Sequence, residues 1–130
     1  MLTAKQIQKY SKKTIPQLRK LAGEKFRKFI RERDKDKRCI SCGTGSPEQA
    51  GHFYSAGHYP SLEFNEDNVH GQCVHCNYYE HANLILYRIN LVKKIGIERV
   101  EQLELLAATA KRSHYKHDRY FLIEVIGMYA

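Results

Sequence analysis

Apolar residues recur at helical spacing in most of this chain, and one stretch in the middle breaks the rhythm. Leu18, Leu21, Ala22, Phe26, Phe29 and Ile30 follow one another at intervals of 3, 1, 4, 3 and 1. That recurrence is one face of an amphipathic helix running to about Asp34. Thr14 with Gln17 three residues on, and the early Pro16, form its start signal. Residues 1–13 are polar and lysine-rich and read as a loose arm or a short helix. Leu84 to Ile95 predicts another helix, stopped by Gly96. Ile97 to Ala110 predicts the next, with Val100, Leu103, Leu106, Ala107 and Ala110 inward. Asp118 to Tyr129 is apolar almost all round, which predicts a buried helix, in its own core or against another subunit. Between these segments, Ala50–Tyr54 and Leu62–Phe64 predict a short hairpin. A helix is expected to start within Cys73–Asn77 and to continue, with a break, into Leu84–Ile95. The fold class is therefore α+β: a mostly helical chain around a small two-stranded core.

With 130 residues the chain is one domain by length. No stretch approaches the roughly 20 apolar residues of a membrane span, and no signal-peptide pattern opens it. A cytoplasmic setting is expected. The net charge of +8 changes the picture through its distribution. Residues 1–38 carry 14 Lys and Arg against 4 Asp and Glu, while residues 39–130 carry 8 against 10. The entire positive excess precedes the first cysteine. A basic helix before a near-neutral body points to a polyanion, most simply a nucleic-acid backbone. Arg27, Lys28, Arg31 and Arg33 are the expected contacts.

Two Cys-x-x-Cys pairs, Cys39/Cys42 and Cys73/Cys76, bracket 30 residues. In a reducing compartment such pairs favour metal over disulfide. Four thiolates close a tetrahedral zinc site that keeps no reactive water. The zinc is then scaffold, and any reaction must use other side chains. A disulfide-stapled structural protein is the alternative an oxidising compartment would require.

Inside the bracket His52 follows Gly51, Asn68 stands five residues before Cys73, and Asn77 directly follows Cys76. This His, Asn, Cys-x-x-Cys-Asn order resembles the HNH, or ββα-metal, nuclease family, with the motif covering about residues 39–81. The resemblance implies that His52 is the general base and that Asn68 ties the hairpin loop and orients it. It also implies that Asn77 is a ligand to Mg²⁺ or Mn²⁺. Many family members carry Asp or His before the base as a second ligand; here Gly51 offers none. His81, four residues after Asn77 on the same helical face, is the substitute ligand or a phosphate contact. If Gly51 marks a lost site, the chain binds without cutting. His58 repeats the Ala-Gly-His tripeptide, but only 10 residues separate it from Asn68 against 16 for His52, too few for two strands and a turn. His70, His75, His114 and His117 read as structural or surface residues.

Gln49-Ala-Gly-His52, Phe64 through Asn77, Asn83-Leu84, Tyr87-Arg88-Ile89 and Ile95 through Val100 resemble the lambdoid-phage NinG (Rap) recombination-endonuclease family over about residues 17–110. The resemblance implies a metal-dependent, structure-selective endonuclease acting on branched recombination intermediates, D-loops and four-way junctions. The organisation expected is a basic arm (1–13) and a single domain (14–130). Within it lie the basic helix (14–38), the zinc-braced HNH core (39–81) and the C-terminal helices (82–130). The cofactors would be one structural Zn²⁺ and a catalytic Mg²⁺ or Mn²⁺; the partner would be DNA. A homodimer through the last helix is left open against that helix simply completing the monomer core. The alternative function is a non-catalytic zinc-stabilised module that binds nucleic acid.

Overall fold

The computed structural model describes residues 2–110 and 114–130. Five helices and one two-stranded antiparallel sheet follow in the order α1 (Ala4–Lys9), α2 (Ile15–Asp34), β1 (Gln49–His52), β2 (Val69–Gln72), α3 (Leu84–Ile95), α4 (Ile97–Thr109) and α5 (Arg119–Met128). The α+β class stands. No helix among the described residues is long and apolar enough to cross a membrane.

Helix α2 is the spine. Thr14 and Gln17 cap it reciprocally, with Thr14 N donating to Gln17 Oε1 at 2.9 Å and Gln17 N to Thr14 Oγ1 at 3.2 Å. Its predicted stripe is the buried one. Leu18 and Ala22 pack with Leu122, Ile123, Val125 and Ile126 of α5, while Phe26 and Ile30 pack with Val69 of β2. A separate cluster joins Tyr87 and Leu91 of α3 to Val100, Leu103 and Ala107 of α4, with Ile40 and Leu62 beneath. Gly96, at φ +90°, stops α3 and turns the chain into α4. The amino-terminal segment is docked: Leu2 and Tyr10 pack on the α2–α5 cluster, and Arg119 donates to the carbonyls of Tyr10 and Lys13.

Three expectations need correction. The second strand is Val69–Gln72, pairing Gln49 with Gln72 and His52 with Val69, and not Leu62–Phe64. Pro60 opens a tight turn there, and the amides of Leu62 and Glu63 bond locally to Tyr59 and Pro60. Val-His-Gly-Gln does not read as a strand because all four residues are buried, so polar and apolar positions do not alternate. Leu106 of α4 is exposed. Helix α5 is not buried all round: Tyr120, Phe121 and Met128 face outward, and the apolar face that α2 covers completes the core of the single chain.

Candidate metal centre and histidine cavity

The four cysteines converge. Their sulfurs all lie within 4.8 Å of one another, with Cys42 and Cys73 at 3.9 Å. A zinc-centred tetrahedron with Zn–S bonds of about 2.3 Å has edges of that order. All four are free thiols. Each Cys-x-x-Cys turn aims amides at a sulfur: Gly45 N donates to Cys42 Sγ at 3.3 Å and Cys76 N to Cys73 Sγ at 3.4 Å. Asn83 Nδ2 donates to Cys76 Sγ at 3.6 Å. Donors pointed at sulfur suit thiolates. Burial, meanwhile, pushes the Cys76 thiol up to about 12, so several charged sulfurs here call for a cation. The donor set fits zinc.

His52 ends β1. Its Nε2 lies 3.0 Å from the Glu63 carbonyl. A carbonyl only accepts, so Nε2 donates and the neutral ring keeps its lone pair on Nδ1. Burial lowers the His52 pKa below its usual value, against an opposing pull from Glu63; Arg27 adds to the lowering. His52, Phe53, Tyr54, Tyr59, His81 and Leu84 line a cavity of about 280 Å³. The two histidines picked out by spacing therefore share one space.

Asn68 braces it. The residue is fully buried. Its Oδ1 accepts from Tyr54 N at 2.8 Å, and its Nδ2 donates to the carbonyls of Tyr54 and Leu62 at 2.9 and 3.0 Å. One side chain thus holds both limbs of the loop that carries Glu63 to His52. Asn68 has no amide hydrogen left for a ligand; it positions.

Asn77 lies elsewhere than expected. The segment after Cys73 winds as a π-turn over His75–Tyr79, closed by Glu80 N donating to the His75 carbonyl at 3.0 Å. Asn77 Nδ2 donates to Gln49 Oε1 at 2.8 Å. Side chains alternate along a strand, so Gln49 and His52 leave opposite faces of β1, and Asn77 does not line the His52 cavity. Its Oδ1, the atom a hard cation takes, is not used in that bond. Among the described residues, the cysteines are the one cluster of three or more His, Cys, Asp or Glu side chains close enough to share an ion.

The place left by Gly51 is filled. A Cβ there would collide with the Gln72 side-chain amide, whose Cδ would be 2.8 Å away. Gln72 Nε2 crosses this gap to reach Ser41 Oγ at 2.8 Å and the Ala82 carbonyl at 2.6 Å. That carbonyl lies in an unusual segment: His81, Ala82 and Asn83 all have positive φ, at 48°, 73° and 48°. Three successive non-glycine residues in the left-handed region cost roughly 1–2 kcal/mol each and persist only when their surroundings over-determine them. Here Gln72 and Ser41 hold Ala82, and Asn83 is tied to Cys76. The cysteine corner thereby holds the strained segment that brings His81 to the cavity.

A model of the family described as Bacteriophage Lambda NinG protein matches residues 2–124. The chain belongs to the NinG family. It is 47% identical over 87 residues to Protein ninG of Escherichia phage lambda, and 46% identical over 87 residues to those of Escherichia phage 933W and Salmonella phage P22. Each match covers 65% of this chain and 43% of the relative, so the chain aligns with under half the length of these phage proteins. No solved structure matches.

In this NinG chain the basic residues of α2 divide. Lys28 and Arg31 are exposed and Arg27 half-buried, whereas Arg33 turns inward, which corrects its expected place among the free phosphate contacts. It donates to both Asp34 oxygens at 2.9 Å, to the carbonyls of Val69 and Glu66 at 2.8 and 3.1 Å, and to His70 Nδ1 at 3.0 Å. Lys94 of α3 joins, 2.9 Å from Asp34 and 2.8 Å from His70. Burial, with Lys94 and Arg33 adjacent, lowers the His70 pKa to about 3, so it stays a neutral acceptor. Burial alone would raise Asp34, but hydrogen bonds from Arg33, Lys94 and Gly71 outweigh it and hold the carboxyl below the usual range. This network locks α2, β2 and α3 together behind the site.

Several supporting residues carried no sequence signal. Tyr87 donates to the Gly51 carbonyl at 2.6 Å, which pins β1 next to His52. Glu63 accepts from Arg19 at 2.8 Å, and His117 lies 3.2 Å from it. His117, expected at the surface, is largely buried. His114 is exposed, as expected, and His75 is exposed beside Glu80.

Proposed function

We propose that this chain is a metal-dependent DNA endonuclease of the HNH type, acting on branched recombination intermediates such as D-loops and four-way junctions. The observation that supports it most is His52: a half-buried imidazole, oriented through Nε2 by the Glu63 carbonyl, facing a cavity shared with His81. Nδ1 is then the atom that takes a proton from water, and the lowered pKa keeps it unprotonated near neutral pH. Asn68 fixes the loop that orients His52. Of the two ligands the resemblance implies, His81 lies in the cavity and Asn77 does not, so His81 with substrate phosphate would hold Mg²⁺ or Mn²⁺ there, and the ion would neutralise charge growing on the phosphate and the leaving oxygen. Branch preference is carried into this reading by family resemblance; the phage relatives' printed names state no activity. The exposed bases of α2, Lys28 and Arg31, are backbone contacts with no base-reading role.

Replacing His52 with Ala should lower Mg²⁺- or Mn²⁺-dependent nicking by at least about 100-fold on a panel of linear, forked and four-way DNA while binding persists. Full cutting by that variant would sink the assignment. A second reading, a zinc-braced module that binds without cutting, is favoured by one observation: Gln72 occupies the space where a ligand at position 51 would stand. Tight binding of all three substrates by the wild type, with no cleavage in either metal, would select it.

A further inference from the structure

A second cavity lies off the His52 pocket, on the other side of Glu63. It measures about 680 Å³ and is walled by Ile15 and Pro16 at the start of α2, by Arg19, Lys20 and Arg27 along it, and by Glu63, Lys116 and His117 opposite. Four cations face one carboxylate. That carboxylate is already engaged by Arg19 at 2.8 Å, with His117 at 3.2 Å. Lys20, Arg27 and Lys116 form no salt bridge with any described residue. A concave surface lined by unpaired cations concentrates field and draws an anion, and the apolar wall of Ile15 and Pro16 suits a sugar more than a bare ion. Glu63 joins this cavity to the candidate site: its side chain lines it, and its backbone carbonyl holds His52.

We propose that this cavity is a backbone-phosphate subsite, holding a phosphodiester of the nucleic acid next to the one presented to His52. The inference rests on the nuclease reading for its position but not for its chemistry. Lys20, Arg27 and Lys116 are the anion contacts, and Arg19 serves chiefly to neutralise Glu63. The strand then crosses from the start of α2 over Glu63 to β1, and the lysines of the amino-terminal segment are peripheral to it.

The test is binding of a fluorescein-labelled single-stranded oligonucleotide and a labelled four-way junction, without Mg²⁺ or Mn²⁺, across a salt series. Lys20→Gln, Arg27→Gln and Lys116→Gln together should weaken binding at least tenfold. They should also flatten the dependence of log affinity on log salt by about two counterions, since each lost contact to a single strand removes roughly 0.7. Neutralising Lys5, Lys9 and Lys12 of the amino-terminal segment should cost clearly less. Circular dichroism and zinc content confirm folding of both variants. Equal losses in the two triple variants, or no loss in the first, would overturn the subsite. So would displacement of the oligonucleotide by inorganic phosphate at constant ionic strength and micromolar concentration, which would assign the cavity to the free ion. A wild type that binds through these residues yet cuts nothing would leave the subsite standing and remove the nuclease reading. A wild type that cuts, with the triple variant binding and cutting equally well, would do the reverse.

Discussion

The four residues of β1 present two faces that differ in nearly every physical respect. On one, Gln49 holds Asn77 and the Gly51 position is packed by the Gln72 amide. On the other, Ala50 packs towards Phe26 and Ile30, while His52 keeps one ring nitrogen for its neighbour's carbonyl and faces a cavity. The first face is closed and joined to the cysteine corner through Gln72, Ser41 and Ala82. The second packs on α2 through Ala50 and Val69 and ends in the cavity that His52 faces. Rigidity and chemistry are thus divided across the thickness of a single strand, and the histidine can be left open because its backbone is held from behind. A site built this way needs its supporting face more than its ligand face.

The largest effect should come from removing the support at its root. Cys39→Ser, or stripping zinc with a chelator, should lower stability by more than about 3 kcal/mol, because structural zinc binding is folding free energy. Thermal unfolding followed by circular dichroism, with zinc content measured in parallel, checks this. A melting temperature unchanged to within a few degrees after zinc loss would show that the closed face does not depend on the metal. Smaller but more pointed is Gly51→Ala. The added methyl meets the Gln72 amide, so stability should fall by about 1–3 kcal/mol, the usual range for overpacking. Adding Gln72→Ala relieves the overlap but removes the bonds to Ser41 and Ala82, so the double variant should stay less stable than the wild type. The double variant should still cleave poorly, because the Ala82 carbonyl loses its Gln72 donor and the left-handed segment that delivers His81 loosens. A double variant with both stability and cleavage at wild-type level would deny Gln72 that positioning role.

What the sequence disclosed follows the same division. The α2 stripe, its Thr14–Gln17 cap, the Gly96 stop and the cysteine cluster were legible because each rests on local spacing. His81 was expected on a helical face shared with Asn77, but the turn ends at Tyr79 and His81 has φ 48°, so it comes beside His52 through the left-handed segment instead. The strand Val69–Gln72 was not legible, because His70 and Gln72 are polar residues buried inside: His70 is held by Arg33, Lys94 and the Asp67 carbonyl, and the Gln72 amide nitrogen by Ser41 and Ala82. Polar groups buried with partners mostly 10 to 37 residues away leave no periodic trace. Arg33 looked like one more surface base of α2 for the same reason: its acceptors, Val69 and Glu66, lie far along the chain. Asn77 was placed on the His52 side because a regular helix was assumed, whereas the π-turn over His75–Tyr79 shifts the register.

The finest test of the two-face view is the pH dependence of cutting. His52 titrates below the ordinary imidazole value because burial disfavours its charged form, and Arg27 adds repulsion; the Glu63 carbonyl and carboxylate pull the other way without prevailing. The general base works unprotonated, so single-turnover cleavage should rise with pH and reach its plateau with a midpoint below about 6.5, the unperturbed imidazole value. The sign of each perturbation is then fixed. Arg27→Gln removes a positive neighbour and should move the midpoint up, though only slightly, Arg27 being the least of the four influences. Glu63→Gln removes a negative one and should move it down, with the backbone carbonyl contact kept. Opposite shifts of these two midpoints would place a titrating imidazole between α2 and the Glu63 loop, the open side of β1. Midpoints unmoved by both substitutions would mean that the group titrating in the rate is not His52, and the open face would lose its claim to the chemistry.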